Sequence, residues 1–398
     1  MSRMKNESAT NEKRGDRKIR ARKRIIFLLL AGAIVFLPVT FLSCKRQKII
    51  SSEKSASEAE RSLGESSSAE KIKVVCTLFP FYDWTRQITR AGSEKVELAL
   101  LAKNGTDFHS FQPSAADIVK IGNCDFFIFA GGESDAWTLD VLKTARNKKM
   151  KTLNLLEELA DSAKKEEYTE EMQLEDSAAE DELGSGANDV PLSGIRFATH
   201  SHTGVEYDEH IWLSLRLAQR ACALIAEVLG ELNPADSDLY ERDLRSYCEE
   251  LACLDEAYKA ALCVSDLADD AADERKRAQD LPQKTLIFCD RFPFRYLTDD
   301  YDLKYFAAFA GCSAETEASF ETVAFLARKI GETNVNAVFI TESSDGKLAK
   351  TVIANSENKD CKIVALDSLQ SVTRKQISEG KTYLSAMRKN LELLQGSL

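Results

Sequence analysis

The chain has 398 residues, with 53 Lys and Arg against 64 Asp and Glu, for a formal net charge of −11. Hydrophobic residues make up 44% and charged residues 29%, ordinary globular usage that excludes a disordered chain, a polytopic membrane protein and a small disulfide scaffold. The length predicts two folded units, and the acidic balance argues against nucleic acid as a partner, since phosphate binding needs clustered Lys and Arg.

Charge is spread unevenly at the start. Residues 1–24 carry ten Lys and Arg against three acids, and the next eighteen, Ile25–Leu42, carry no charge. A basic stretch, an apolar stretch and a small residue before a break describe a secretory signal over residues 1–43. Phe41-Leu42-Ser43-Cys44 resembles a bacterial lipobox, so Cys44 is expected to be lipidated and to open the mature chain. The alternative is an uncleaved anchor, because an apolar run of this length can just span a bilayer. Both place the bulk of the protein outside the cytoplasm, tethered to a membrane. Residues 44–70 hold eight Ser and no aromatic, as expected of a flexible tether.

Ordered sequence begins with the β-branched run Ile72–Leu78, followed by an amphipathic stretch from Tyr82 to Ile88. Val96–Leu101, Cys124–Phe129 and Lys151–Leu155 read as further strands. Strands separated by helical stretches predict a parallel sheet with crossover helices, here an N-terminal α/β lobe over residues 71–210. Between Glu157 and Asp189, thirteen acids stand against only Lys164 and Lys165. Residues 157–205 therefore read as an exposed acidic loop within that lobe. Ile211, Leu215, Ala218, Cys222 and Ile225 recur at helical spacing. Pro234 breaks that helix, and a second starts near Ser237 and runs into the 270s, making 211–280 helical. Thr285–Phe288, Asn336–Ile340 and Lys362–Leu366 are strands of a C-terminal α/β lobe over 281–398. Tyr383, Met387, Asn390, Leu391 and Leu394 fall on one face of its closing helix.

Chemistry-bearing residues gather at strand ends and helix starts, where α/β sheets place their ligands. His109 lies in the loop Gly105–Ser114, and His210 opens the helix after Tyr207-Asp208-Glu209. Asp290, beside Cys289, ends the strand that begins the second lobe. Asp367 ends another, and Glu342 follows the Asn336–Ile340 strand. The four histidines of the chain all fall between 109 and 210. Two imidazoles and two carboxylates would make a nitrogen and oxygen shell suited to Zn²⁺ or Mn²⁺. The chain has no H-E-x-x-H, no G-x-S-x-G and no P-loop. A metal-dependent hydrolase is the weaker alternative on that ground.

These segments resemble the zinc- and manganese-binding solute receptors of ABC importers, a class of lipoproteins that includes adhesins. Val74-Val75-Cys76-Thr77-Leu78-Phe79-Pro80-Phe81-Tyr82-Asp83-Trp84 matches the family's opening strand and aromatic helix start. Gly105, Asp107, His109, Phe111, Pro113 and Ser114 match its first ligand motif, G-x-D-x-H-x-[FY]-x-P-[ST]. Glu209-His210-Ile211-Trp212 matches its second, [DE]-H-[IV]-W. The resemblance runs from about residue 70 to the C-terminus. It implies an α/β fold of two Rossmann-like lobes with parallel sheets, joined by a long rigid linking helix (here 236–278), with a metal site between the lobes. It further implies a monomer that is not an enzyme. Such a receptor captures Zn²⁺, with Mn²⁺ as the alternative, for an ABC importer permease in the membrane.

One departure stands out. Placing Phe294 and Tyr296 on the family's aromatic pair puts Arg291 at a ligand position, and a guanidinium cannot bind a metal. Asp290 is the expected substitute and Asp367 matches the family's last carboxylate, so the expected ligands are His109, His210, Asp290 and Asp367. Auxiliary candidates are Cys289, Glu342, and His200 and His202, which lie in the acidic loop where zinc-type members carry a His- and acid-rich insertion. If Cys44 is lipidated, nine of the ten cysteines remain, an odd number whose pairing sequence cannot assign.

Overall fold

The computed structural model describes residues 71–166, 207–263, 283–312 and 318–398. The leader, Cys44, the tether, His200 and His202 lie outside the described residues. Among the described residues, no helix is long and apolar enough to cross a membrane.

The first lobe is built on β1 (Ile72–Cys76), β2 (Val96–Leu100), β3 (Phe126–Phe129) and β4 (Lys151–Asn154), in the order β2-β1-β3-β4 with every pairing parallel. Parallel neighbours cannot be joined by a tight hairpin, so helices return the chain across the sheet. These are α1 (Phe79–Ile88), α2 (Ala115–Gly122) and α3 (Trp137–Thr144). Pro80 in the first turn of α1 costs no hydrogen bond there, and the helix buries Phe79, Phe81, Trp84 and Ile88. β3, Phe-Phe-Ile-Phe, is buried at every position, as suits a strand covered on both faces.

Two antiparallel helices follow, α4 (Leu215–Leu232) and α5 (Ser237–Leu262), the second about 39 Å long at 1.5 Å per residue over its 26 residues. α5 ends at Leu262, with Cys263 already extended, and the remainder of the expected helical stretch, 264–280, lies outside the described residues. The second lobe carries β5 (Thr285–Phe292), β6 (Lys304–Ala310), β7 (Ala337–Thr341) and β8 (Lys362–Leu366), again all parallel, in the order β6-β5-β7-β8. Its longer helices are α6 (Phe320–Thr333), α7 (Lys347–Asn355) and α8 (Tyr383–Gln395), beside the short Arg295–Asp300 and Arg374–Ser378.

The sequence pattern missed β6, Lys-Tyr-Phe-Ala-Ala-Phe-Ala, because alanine at its centre carries little strand preference. It also ended β5 four residues early. The pairing of β5 with β6 shifts register between Phe288 and Arg291, and such a shift re-aims side chains. Within the shift, Cys289 is buried in a small second-lobe core with Ile287, Val338 and Leu326. Among the described residues no two cysteines form a disulfide with one another.

The main core runs continuously from the first sheet through α4 and α5 into the second lobe. α8 closes the molecule by returning to the first lobe. Asp83, fully buried in α1, accepts the backbone N–H of Tyr383 at 2.7 Å. The Tyr383 hydroxyl donates to the Trp212 carbonyl at 2.7 Å, and Tyr258 of α5 donates to the Met387 carbonyl at 2.6 Å. The head of the expected acidic loop is also packed, unlike the exposed segment the composition predicts. Leu159 is buried, Lys164 N–H donates to the Tyr296 hydroxyl at 3.0 Å, and Asp208 N–H donates to the Lys164 carbonyl at 2.8 Å.

Asp83→Ala removes a charged acceptor from the first turn of α8 and strands a buried N–H. It should lower the unfolding free energy by about 1–3 kcal/mol, read as a lower denaturant midpoint at unchanged slope.

Candidate metal centre

His109 is held by a short turn, Phe108–Ser110, that follows the first-lobe strand β2. The Asp107 carboxylate caps that turn, accepting His109 N–H at 3.0 Å, while Asp107 Oδ2 pairs with Arg291 at 2.6 Å. His109 Nδ1 meets Ser134 Oγ at 2.8 Å, and Ser134 N–H donates to Glu209 Oε1 at 2.8 Å. A glycine is required beside that carboxylate: Gly132 has φ +82, and a Cβ there would fall 2.3 Å from Glu209 Oε1.

His210 is completely buried at the start of the Ile211–Leu213 turn. Asp208 Oδ1 accepts both its backbone N–H and its Nδ1–H at 2.8 Å. Because the carboxylate can only accept, Nδ1 carries the proton and Nε2 presents a lone pair. That lone pair faces His109, the two Nε2 atoms standing 3.1 Å apart. Ser134 Oγ can accept from His109 Nδ1–H or donate to Nδ1: in the first tautomer both Nε2 lone pairs converge on one point, and in the second His109 Nε2–H donates to His210 Nε2. The rings are 5.2 Å apart, and Trp212 lies edge-on against His210.

Burial, then the neighbouring His210, holds the His109 imidazole well below its ordinary range. Burial also opposes charge on His210, but Asp208, Glu166 and Glu209 outweigh it and raise that imidazole. Glu166 and Glu209 are themselves pushed up, chiefly by burial, Glu209 to about 7. One carboxylate oxygen of each is buried without a hydrogen-bond partner. The surroundings are thus acidic and poorly hydrated, which favours a bound cation.

From the second lobe come Gly311 and Cys312, immediately after β6. His109, His210 and Cys312 bring one ligand atom each within 4.8 Å of one another, the single such group of metal-capable side chains among the described residues. Asp290, expected as a ligand, instead accepts Thr341 N–H at 3.1 Å and Thr341 Oγ1–H at 2.7 Å, joining β5 to β7. Asp367 pairs with Lys381 and accepts Leu369 N–H at 3.0 Å. Glu342 accepts from Ser368 N–H at 2.8 Å and from the Ser371 hydroxyl at 2.8 Å. Cys289 is buried in the core described above. None of these four belongs to the group.

Sequence reasoning singled out both histidines and passed over Cys312, Asp208 and Ser134. The signal for Cys312 was the apolar run Tyr305–Ala310 ending in Gly-Cys, a strand terminus in a parallel sheet.

Residues 74–396 match the family model of zinc-uptake complex component A, periplasmic (ZnuA). The zinc-binding lipoprotein AdcA of Streptococcus pneumoniae is 27% identical over 325 residues, covering 82% of this chain and 55% of that protein. The chain therefore spans about half the length of that relative. The high-affinity zinc uptake system protein ZnuA of Bacillus subtilis is 25% identical over 332 residues, covering 83% of this chain and 89% of that protein. In fold, the chain resembles the crystal structure of the Zn(II)-bound ZnuA-like domain of S. pneumoniae AdcA, with a TM-score of 0.57, 24% identity, and coverage of 82% of this chain and 98% of that one.

Asp135, buried beneath the centre, offers a pH test. It accepts Ala130 N–H at 2.7 Å, yet burial first and the Glu209 carboxylate second push it up to about 8. Between the ordinary carboxylate range and that value the folded state holds a proton that the unfolded chain has lost. Stability of the metal-free protein should therefore fall as pH rises from about 4 to about 8. Asp135→Asn, which stays neutral, should flatten that slope in denaturant midpoints measured with chelator present.

Proposed function

The chain belongs to the zinc-uptake complex component A family, and we propose that it captures Zn²⁺ outside the cytoplasm for delivery to an ABC importer permease. The observation that carries this reading is the convergence of His109 Nε2 and His210 Nε2 at 3.1 Å in a buried, acid-lined cleft. Two converging imidazoles, His210 with its tautomer set by Asp208, are strong ligands for a borderline divalent cation once both are neutral. Each has a partner that orients its ring from behind, Ser134 for His109 and Asp208 for His210, as ligating histidines require. Affinity order favours Zn²⁺ over Mn²⁺ at such nitrogen ligands, in keeping with the zinc named for the relatives. The basic and apolar leader ending in Phe41-Leu42-Ser43-Cys44 supports anchoring through a lipid on Cys44.

Capture and release need no catalysis. The ion would be held where the lobes meet, at the carboxyl ends of β2, β5 and β6, so a permease that shifts one lobe would break the shell.

Binding to the folded state alone stabilises it by RT ln(1 + [L]/Kd), about 4 kcal/mol at a thousandfold excess of metal over Kd. Zn²⁺ should therefore raise the melting temperature of the wild-type protein. His109→Ala and His210→Ala should lose most of that rise while melting normally in chelator. Binding should also weaken as pH falls, starting above the ordinary imidazole value of about 6.5, because His210 is raised and must be neutral to coordinate, whereas His109 is held low and stays neutral. Wild-type Zn²⁺ affinity in both variants would overturn the proposal.

A further inference from the structure

We propose that Cys312 is the second-lobe ligand, so that the ion is held by two imidazoles and one thiolate. This rests on the metal-capture reading above and adds the identity of the missing ligand. The geometry is direct: Cys312 completes the group whose ligand atoms lie within 4.8 Å of one another, and it comes from the opposite lobe to the two histidines.

Three features of the chain bring it there. First, the residue before it is glycine. A Cβ at Gly311 would stand 2.8 Å from the Phe292 carbonyl and 2.9 Å from His210 Cε1, so a larger residue would push the end of β6 away from the imidazole. Second, both ends of Cys312 are tethered to the first lobe. Its backbone N–H donates to Glu166 Oε1 at 3.4 Å, and its sulfur accepts a hydrogen bond from the Glu209 backbone. Burial, then the Glu209, Glu166 and Asp208 carboxylates, hold the free thiol well above its ordinary range, so its deprotonation is left to the bound metal itself. Third, the other second-lobe candidates are engaged. Arg291, which the family register puts at the ligand position, is ion-paired with Asp107 at 2.6 Å. Asp290 is committed to Thr341 and Asp367 to Lys381.

The chemistry is a simple exchange. On binding, the Cys312 S–H bond breaks, its proton leaves to solvent, and a sulfur–metal bond forms. Three protein ligands leave a fourth tetrahedral position open for water or an incoming group. A thiolate also decides which cations bind. Zn²⁺ and softer ions accept sulfur, whereas Mn²⁺ prefers oxygen. Cys312 would therefore make this receptor discriminate against Mn²⁺ more sharply than an all-oxygen and nitrogen shell would.

The test uses the full chain loaded with Co²⁺, which takes the place of Zn²⁺ and reports thiolate ligation as a near-ultraviolet charge-transfer absorption. Wild type and Cys253→Ser, which changes an exposed thiol, should show the band; Cys312→Ser should not. Zn²⁺ affinity of Cys312→Ser should fall on the order of 100-fold or more, beyond the loss expected of a merely orienting residue, with a smaller change for Mn²⁺. Because the variant could fold poorly, wild-type protein gives an independent readout. Zn²⁺ should slow iodoacetamide labelling of Cys312, mapped by peptide mass, and leave Cys253 unaffected. A cobalt complex without the band, a band that survives in Cys312→Ser, or labelling of Cys312 unchanged by saturating Zn²⁺ would overturn the proposal. If Cys312→Ser binds Zn²⁺ as wild type while His109→Ala does not, the ligand assignment alone falls. If both histidine variants also bind as wild type, the metal-capture reading falls with it.

Discussion

Two imidazole nitrogens cannot face one another at 3.1 Å in a buried site with both lone pairs bare; something must sit between them. A proton can serve, and so can a metal ion, and the surroundings decide which is favoured. Asp208 fixes the proton of His210 on the far nitrogen, and Ser134 offers the same to His109. Glu166 and Glu209 add negative charge whose burial is unfavourable unless it is balanced. A divalent cation at the convergence point relieves all of these strains at once. The fold supplies the rigidity that keeps such a costly arrangement in place.

That rigidity comes from one tryptophan and the elements around it. Trp212 follows His210 by two residues and is fully buried. Its ring lies edge-on to Phe81 of α1 and to Phe108, the residue before His109. Its indole N–H donates to the Ser368 carbonyl of the second lobe at 2.9 Å, and its own carbonyl accepts from Tyr383 of α8. The loop that carries His210 is thereby tied to both lobes and to the C-terminal helix. Opening the cleft requires moving elements that share a continuous core, which makes release a concerted event rather than the fraying of a loop.

The departure at Arg291 has a structural counterpart on the opposite lobe. Its guanidinium pairs with Asp107, the carboxylate that caps the His109 turn. An inter-lobe ion pair thus occupies the place where the family register puts a ligand, and it steadies the same turn that presents the imidazole. The thiol just past the end of β6 stands near the two histidines. With Cys312 as the proposed ligand, the centre would have a different second-lobe chemistry on the same two-lobe frame.

The sequence alone determined the frame. Short apolar runs such as Val96–Leu100 and the continuous Phe126–Phe129 marked strands, and their separation by helical stretches predicted parallel sheets. The segments around His109 and His210 were legible because each motif is local, confined to about ten residues. The rest was not local. Whether Asp290 reaches a metal depends on a register shift in β5 and on Thr341, fifty-one residues away. Arg291 finds Asp107 across 184 residues of chain, a contact with no trace in either neighbourhood. β6 was hidden by its alanines, and with it the fact that Gly311 and Cys312 end a strand pointing at the cleft. Local propensity and spacing specify which elements form. Only packing between elements, through register, close approach and charge pairing, decides which side chains share a site.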